Sequence, residues 1–312
     1  MKNLTLLILT ISIISCNKVN KDPVYDLQAD ADQGGISLPE GFGATVFADT
    51  LGRARHIAVS PRGDVYINLR TPKNGKGLVA LRDEDQDGHA DQIKYFEEVA
   101  GTGIDIFNGF LYYSTDSSIY RVPLPESALV PANTPELMIS GLFERRQHAV
   151  KTFTFDEEGY LYVNIGAPAN ACQEQMRTPG SAGMDPCPLL EHSGGVWRFE
   201  AARPGQTQEQ DGYRFSTGIR NAVAIDYHPN SKNVYVVQHG RDQLYQFFPE
   251  YYSLEEGVEL PAEEFFMLHD GADFGWPYCY YDHLQNKKVL APEYGGNGEE
   301  VSRCADMEDP IM

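Results

Sequence analysis

Two stretches of this 312-residue chain carry residues whose types and spacing could do chemistry. In "LRDEDQDGHADQIKYF", Asp83, Asp85, Asp87 and Asp91 surround Gly88. Carboxylates at alternate positions with glycine at the sixth place match the first half of a calcium loop, where oxygen ligands wrap one hard cation. Lys94 occupies the twelfth place, where a bidentate glutamate belongs, and no helical pattern flanks the loop. The expectation is a structural calcium stiffening a hairpin, weighed against a solvated acidic turn. The second stretch is "HAVKTFTFDEEGYLYVNIG", an apolar strand pair with His148 at its head. Histidine titrates near neutrality and suits proton abstraction; it equally suits a polar residue at a sheet edge. Arg220 and Asn221, in "STGIRNAVAIDYHPNSKNVYVVQHGRD", stand at the corresponding point of a similar unit.

The elements that must position these residues follow a weak repeat. "IAVSPRGDVYINL", "IDIFNGFLYYST", "FTFDEEGYLYVNI" and "IDYHPNSKNVYVVQ" each combine an apolar strand, a Gly or Asn turn and an aliphatic-tyrosine strand, with Tyr66, Tyr112, Tyr162 and Tyr235 as anchors. A further strand candidate follows each unit: "GLVAL", "SIYRV", "GGVWRF" and "DQLYQF". Four strands per unit at blade spacing predict a β-propeller, all-β, with helical periodicity nearly absent. Sites in propellers lie on the central channel, so His148 and Arg220–Asn221 are expected to meet there.

The N-terminal "MKNLTLLILTISIISC" has a lysine, a short apolar run and small residues before Cys16. It reads as a lipoprotein signal peptide over 1–16, with Cys16 as the lipidated residue of a lipobox. Residues 17–37 are polar and read as a flexible tether, and 38–312 as the propeller. Export makes disulfides the expectation for the four remaining cysteines, Cys172 with Cys187 and Cys279 with Cys304. Neither pair has the C-x-x-C spacing of a metal site. With 25 Lys+Arg against 45 Asp+Glu, the formal charge is −20, which excludes nucleic acid as a partner. The remaining contact with a membrane is through the lipid at Cys16, placing the protein in the cell envelope, periplasmic or anchored at the outer membrane.

Three islands together resemble a known family: "HAVKTFTFDEEGYLYVNIG", "STGIRNAVAIDYHPNSKNVYVVQHGRD" and "DGADFGWPYCYYD". From about Leu38 onward the chain is similar to the sugar dehydrogenases that use pyrroloquinoline quinone (PQQ), in their L-sorbosone and pyranose dehydrogenase branch. The resemblance implies a six-bladed propeller, of which this chain covers about four blades and the start of a fifth, stopping at "RCADMEDPIM" and hence C-terminally incomplete. It implies that His148 is the base that takes the substrate hydroxyl proton. Arg220 and Asn221 contact the quinone. Gln238, Gly240 and Arg241, in "QHGRD", lie where backbone carbonyls hold an active-site calcium, and Trp276, in "FGWP", lies near the cofactor. The implied reaction removes a hydride from a sugar carbon to the quinone, with calcium and Arg220 stabilising the developing charge. A cytochrome or a quinone pool would then take the electrons.

Departures bear on the substrate. Gln147 precedes His148 where the soluble glucose dehydrogenase branch has aspartate, and "GTGIDIF" holds no counterpart of that branch's glutamine. Both turn the expectation from glucose toward the sorbosone branch. The rival readings are a non-catalytic propeller that binds a sugar or a protein, and a calcium-dependent lactonase. The latter needs carboxylates at the channel metal, and Asp242 is the one candidate at the matched inner positions.

Overall fold

The computed structural model describes residues 28–260 and 262–311, so the leader and Cys16 lie outside the described residues. The chain divides into two compact units, a small one ending at Phe47 that also includes Asp85–His89, and a large one comprising Ala48–Glu84 and Ala90 onward. In the small unit, residues 28–37 correct the expectation of a tether. Asp30 N donates to Ala44 O at 2.9 Å, Ala44 N to Gln33 Oε1 at 2.7 Å and Val46 N to Asp30 Oδ2 at 2.8 Å. Short polar side chains that satisfy backbone amides turn a polar stretch into an ordered turn.

The large unit is a β-propeller of four blades and a two-stranded fifth sheet. The first blade is the antiparallel meander β1 (Ala54–Val59), β2 (Val65–Lys73), β3 (Lys76–Arg82) and β4 (Gln92–Phe96). The second is β5 (Ile104–Phe107), β6 (Phe110–Ser114), β7 (Ile119–Pro123) and β8 (Glu136–Ser140). The third begins with β9 (Phe153–Phe155), β10 (Tyr160–Ile165) and β11 (Gly195–Glu200). The chain then adds β12 (Gln206–Thr207) in parallel beside β8, forms the short helix α1 (Gln208–Asp211) and returns as β13 (Tyr213–Thr217) to finish the third blade. The fourth has β14 (Ala222–His228) and β15 (Asn233–Gln238), then the helices α2 (Leu244–Phe247) and α3 (Leu254–Glu259), then β16 (Glu264–Met267). β17 (Cys279–Asp282) and β18 (Lys287–Leu290) form the fifth sheet. The first strands β1, β5, β9 and β14 lie side by side around the channel.

One expected strand is a helix. "DQLYQF" turns into α2 over Leu244–Phe247, where Leu244 and the C-capping Phe248, one helical turn apart, pack with Tyr280 and Val289 of the fifth sheet.

The anchor tyrosines explain how the blades stack. Tyr66, Tyr112 and Tyr162 sit on the second strands and bury against the next blade, in clusters with Tyr113, Phe155 and Phe266 respectively. Residues two apart on a strand share a face. The residue two beyond each anchor is polar, buried and turned the same way: Asn68, Ser114 and Asn164. Each hydrogen-bonds the chain as it enters the next blade. Asn68 accepts from Gly101 N at 2.9 Å and donates to Gly103 O and Ser114 O at 2.9 and 3.0 Å. Ser114 Oγ donates to Lys151 O at 2.7 Å, and Asn164 Oδ1 accepts from Ala222 N at 3.0 Å. Gly101 has to be glycine, since a Cβ there would collide with the Ser114 carbonyl. In the fourth blade Val237 stands two beyond Tyr235, and the chain leaves instead into α2 and α3.

These latches make a prediction. Asn68→Leu keeps the volume but removes one partner each from Gly101 N, Gly103 O and Ser114 O, of which Gly101 N retains Leu69 O and Gly103 O retains Ser114 N; a buried group left unsatisfied costs about 1–3 kcal/mol. Urea unfolding should show a loss of about 1–3 kcal/mol. A change under about 1 kcal/mol would contradict the latch.

Candidate functional site

His148 occupies the loop that leads into β9 and adopts a left-handed backbone, φ 52°. Its Nδ1 meets the carbonyl of Ala167, just past the end of β10. A carbonyl can only accept, so Nδ1 carries the proton and Nε2 keeps its lone pair. Ala167 N in turn donates to Arg220 O at 2.7 Å, and Thr152 Oγ1 to Ala222 O at 3.0 Å. The third and fourth blades are therefore stitched together where His148 and Arg220 stand. Gly166 permits the approach: a Cβ there would fall within 3.0 Å of both His148 and Asn221. The stretches that carry His148 and Arg220–Asn221 thus meet at the joint of the third and fourth blades.

Arg220 is 5% exposed. Its backbone N–H donates to Gln238 Oε1 at 2.7 Å. Its guanidinium donates from Nε to Asn170 Oδ1 at 3.0 Å, again from Nη2 to the same oxygen, and from Nη1 to His239 O at 3.3 Å. Asp242 Oδ2 lies 3.4 Å from Nη2. Asn170 is the hub. Its side-chain amide donates to Gln243 Oε1 at 2.9 Å and Asp242 O at 3.2 Å, and its backbone carbonyl accepts from Trp276 Nε1 at 2.9 Å. Gln243 Oε1 also accepts from Arg177 Nη1 at 2.9 Å.

Gln238 and Trp276 serve as supports. Besides holding Arg220, Gln238 donates to Glu264 Oε1 at 2.9 Å, so its amide group is spent on the protein. Trp276 is 4% exposed and fills the space left by the missing side chain of Gly194. The cavity between Arg220, Gln238 and Trp276 is about 10 Å³, about the room of one water. Arg241 points its side chain inward, forking onto Glu293 at 2.8 and 3.2 Å, and its Nε donates to Asp242 O at 3.2 Å. Lys288 pairs with Glu264 at 3.3 Å. These buried pairs tie the fourth blade to the fifth sheet. Gly240 allows a close backbone approach to Ala262.

The two expected disulfides are present, Cys172–Cys187 and Cys279–Cys304. The first closes the loop that carries Arg177 and follows Asn170. Neither residue was legible as a site residue; the only signal was the extra length between the third and fourth repeats. The acidic loop is shared between the units, with Asp83 and Asp91 in the large one and Asp85 and Asp87 in the small one. Asp91 Oδ2 accepts from Glu84 N at 2.7 Å, and Asp87 Oδ1 from His89 N at 2.8 Å. A cavity of about 830 Å³ lies along the channel between Asp105 on β5 and Asp226 on β14, and neither His148 nor Arg220 lines it.

Burial, then the neighbouring Arg220 charge, pushes the His148 imidazole down to about 4, against the pull of the Ala167 carbonyl. Burial likewise lowers Arg220, to about 10, with Asp242 opposing. The site therefore offers a neutral imidazole beside a guanidinium. Arg177 Nε and Asp242 Oδ1 are buried without a hydrogen-bond partner among the described residues. An unmatched cationic donor and an unmatched carboxylate oxygen suit an anionic quinone and a hard cation respectively.

The sequence model of the family described as TrAA12-like matches residues 36–291. No curated protein matches the chain. Among solved structures, the holo PQQ domain of pyranose dehydrogenase from Coprinopsis cinerea superposes with a TM-score of 0.66 at 15% identity, covering 85% of this chain and 66% of that one. A calcium structure of the AA12 carbohydrate-active enzyme of Trichoderma reesei gives 0.65 at 16%, with 85% and 68% covered. The PQQ-bound aldose sugar dehydrogenase of Streptomyces coelicolor gives 0.52 at 14%, with 85% and 69% covered. These likenesses establish the propeller fold; this chain spans about two thirds of those proteins.

The imidazole environment can be tested without any ligand. Because the folded pKa lies below the unfolded 6.5, the stability tied to a neutral His148 is complete above pH 6.5 and is lost as pH falls toward 4. NMR titration of the ligand-free protein should place the His148 midpoint near 4; a midpoint at or above 6.5 would contradict the burial beside Arg220.

Proposed function

Because the chain belongs to the TrAA12-like family, we propose that the protein is a quinone-dependent oxidoreductase that oxidises a sugar at a hydroxyl-bearing or hydrated-aldehyde carbon. The observation that carries the reading is the His148 ring, locked by Ala167 O into the tautomer whose Nε2 can accept a proton, beside the buried Arg220. Bound PQQ supplies the hydride acceptor and calcium a Lewis acid. His148 Nε2 takes the proton of the substrate hydroxyl, so that the carbon can release its hydride. Arg220, fixed by Asn170 and Gln238, directs a guanidinium at the oxygen on which negative charge develops, already oriented before the reaction. Asn221, pressed against Gly166, holds the opposite side of the same cradle. Carbonyls of Gly240 and Arg241, with Asp242 beside them, are the oxygen donors for the cation.

The disulfides support export into an oxidising compartment. No helix among the described residues is long and apolar enough to cross a membrane. Lipid anchoring at Cys16, and a cytochrome or quinone pool as electron acceptor, are proposals from the sequence. So is calcium at Asp83, Asp85, Asp87 and Asp91, which rests on their spacing alone. For that loop, calcium should raise the melting temperature of the wild type and not of Asp85→Asn/Asp87→Asn; equal shifts in both would remove the site.

The central test loads the full chain with PQQ and calcium and follows quinone reduction by a panel of aldoses. His148→Ala should retain quinone binding and slow reduction by about two to four orders of magnitude, the usual worth of a general base. Reduction at the wild-type rate would remove His148 as the base. If no sugar reduces the bound quinone, the sugar-oxidising reading falls and a binding propeller takes its place.

A further inference from the structure

Arg177 has a setting that the proposed chemistry does not yet use. It sits on the loop closed by Cys172–Cys187 and is itself half-buried. The loop is built to hold it. Gln173, 2% exposed, accepts the Arg177 backbone N–H at 2.8 Å and donates to Thr178 O and Ser181 O at 3.0 and 3.3 Å. Among the described residues the guanidinium meets a neutral partner alone, Gln243 Oε1 at 2.9 Å, through Nη1. Gln243 is bonded to Asn170, and Asn170 to Arg220, so one chain of amides runs from one guanidinium to the other.

This arrangement is electrostatically incomplete. Arg177 has no carboxylate within ion-pair distance among the described residues, and its Nε is buried without a partner. The nearby Asp242 carboxylate already faces Arg220 at 3.4 Å. Two guanidiniums of which only Arg220 faces a carboxylate leave a local positive charge, in a chain whose formal charge is −20. Like charges held together by neutral amides raise the energy of the free protein, and an anion placed between them recovers it. Arg177 Nη2 makes no hydrogen bond among the described residues and is not enclosed as Nε is, so a donor remains for a ligand to reach.

We infer that Arg177 and Arg220 form a two-armed carboxylate clamp, with Asn170 and Gln243 as the spacer that fixes the separation of the arms. The inference deepens the proposed function and rests on it for the location of the site. A carboxylate could come from the quinone, a tricarboxylate, or from an acidic sugar.

The test measures binding of PQQ to the calcium-loaded full chain by calorimetry, and then of glucuronate and glucose to the quinone-loaded protein. Arg177→Gln is compared with wild type, Arg177→Lys and Arg220→Gln, with melting temperature as the check on folding. If the quinone is the source, Arg177→Gln weakens PQQ binding roughly tenfold or more, the scale of a lost charge-assisted hydrogen bond, and Arg177→Lys recovers part of it. If an acidic sugar is the source, PQQ binding holds and the preference for glucuronate over glucose disappears. PQQ and glucuronate binding both unchanged in Arg177→Gln, while Arg220→Gln loses PQQ, overturns the clamp and leaves the proposed function standing. A wild type that binds neither PQQ nor glucuronate overturns both.

Discussion

A buried polar side chain on the second strand of each of the first three blades, two residues beyond an anchor tyrosine, is the constraint on which the rest of the propeller depends. The tyrosine packs on the next blade, and the polar residue then captures backbone groups of the chain entering it. Burying such a group is costly unless it is fully paired, so each latch accepts only one register between neighbouring blades. Asn164 has a further consequence. By holding Ala222 N it fixes the residue that follows Arg220 and Asn221, and its Nδ2 lies 3.5 Å from Asn221 Oδ1. The geometry of the candidate site is inherited from the joint between the third and fourth blades.

At that joint the protein accepts an electrostatic cost. Arg220 is buried among amides and carbonyls with one half-exposed carboxylate for company. His148 is kept neutral by the same burial and by the guanidinium beside it. The neutral ring and the charged guanidinium reinforce each other: a protonated imidazole would add a second cation to a poorly solvated pocket. Elsewhere in the fourth blade buried charge is closed off in pairs, Arg241 with Glu293 and Lys288 with Glu264. The contrast separates groups that hold the fold from groups left open for a ligand.

Much of the fold was legible because its signals are local. The strand-turn-tyrosine unit repeats within short windows, and each disulfide closes a loop of modest length. Helix α2 was hidden, because "DQLYQF" carries aromatic residues that suit a strand, and what decides its form is packing on Tyr280 and Val289, distant in sequence. His148, Arg220 and Asn221 stood out as motif residues and the fold brings them together. Gln238 and Trp276 stood out equally, and only their tertiary partners, Glu264 and Gly194, reveal them as supports. Asn170 and Arg177 gave no signal at all, since an irregular loop held by a disulfide and by Gln173 has no period to read.

The measurement that tests the account most directly is a crystal structure of the calcium-loaded protein with PQQ. The account predicts quinone density in contact with both His148 and Arg220, at the joint of the third and fourth blades. Density in the 830 Å³ channel cavity beside Asp105 and Asp226 instead, with His148 and Arg220 untouched, would contradict it.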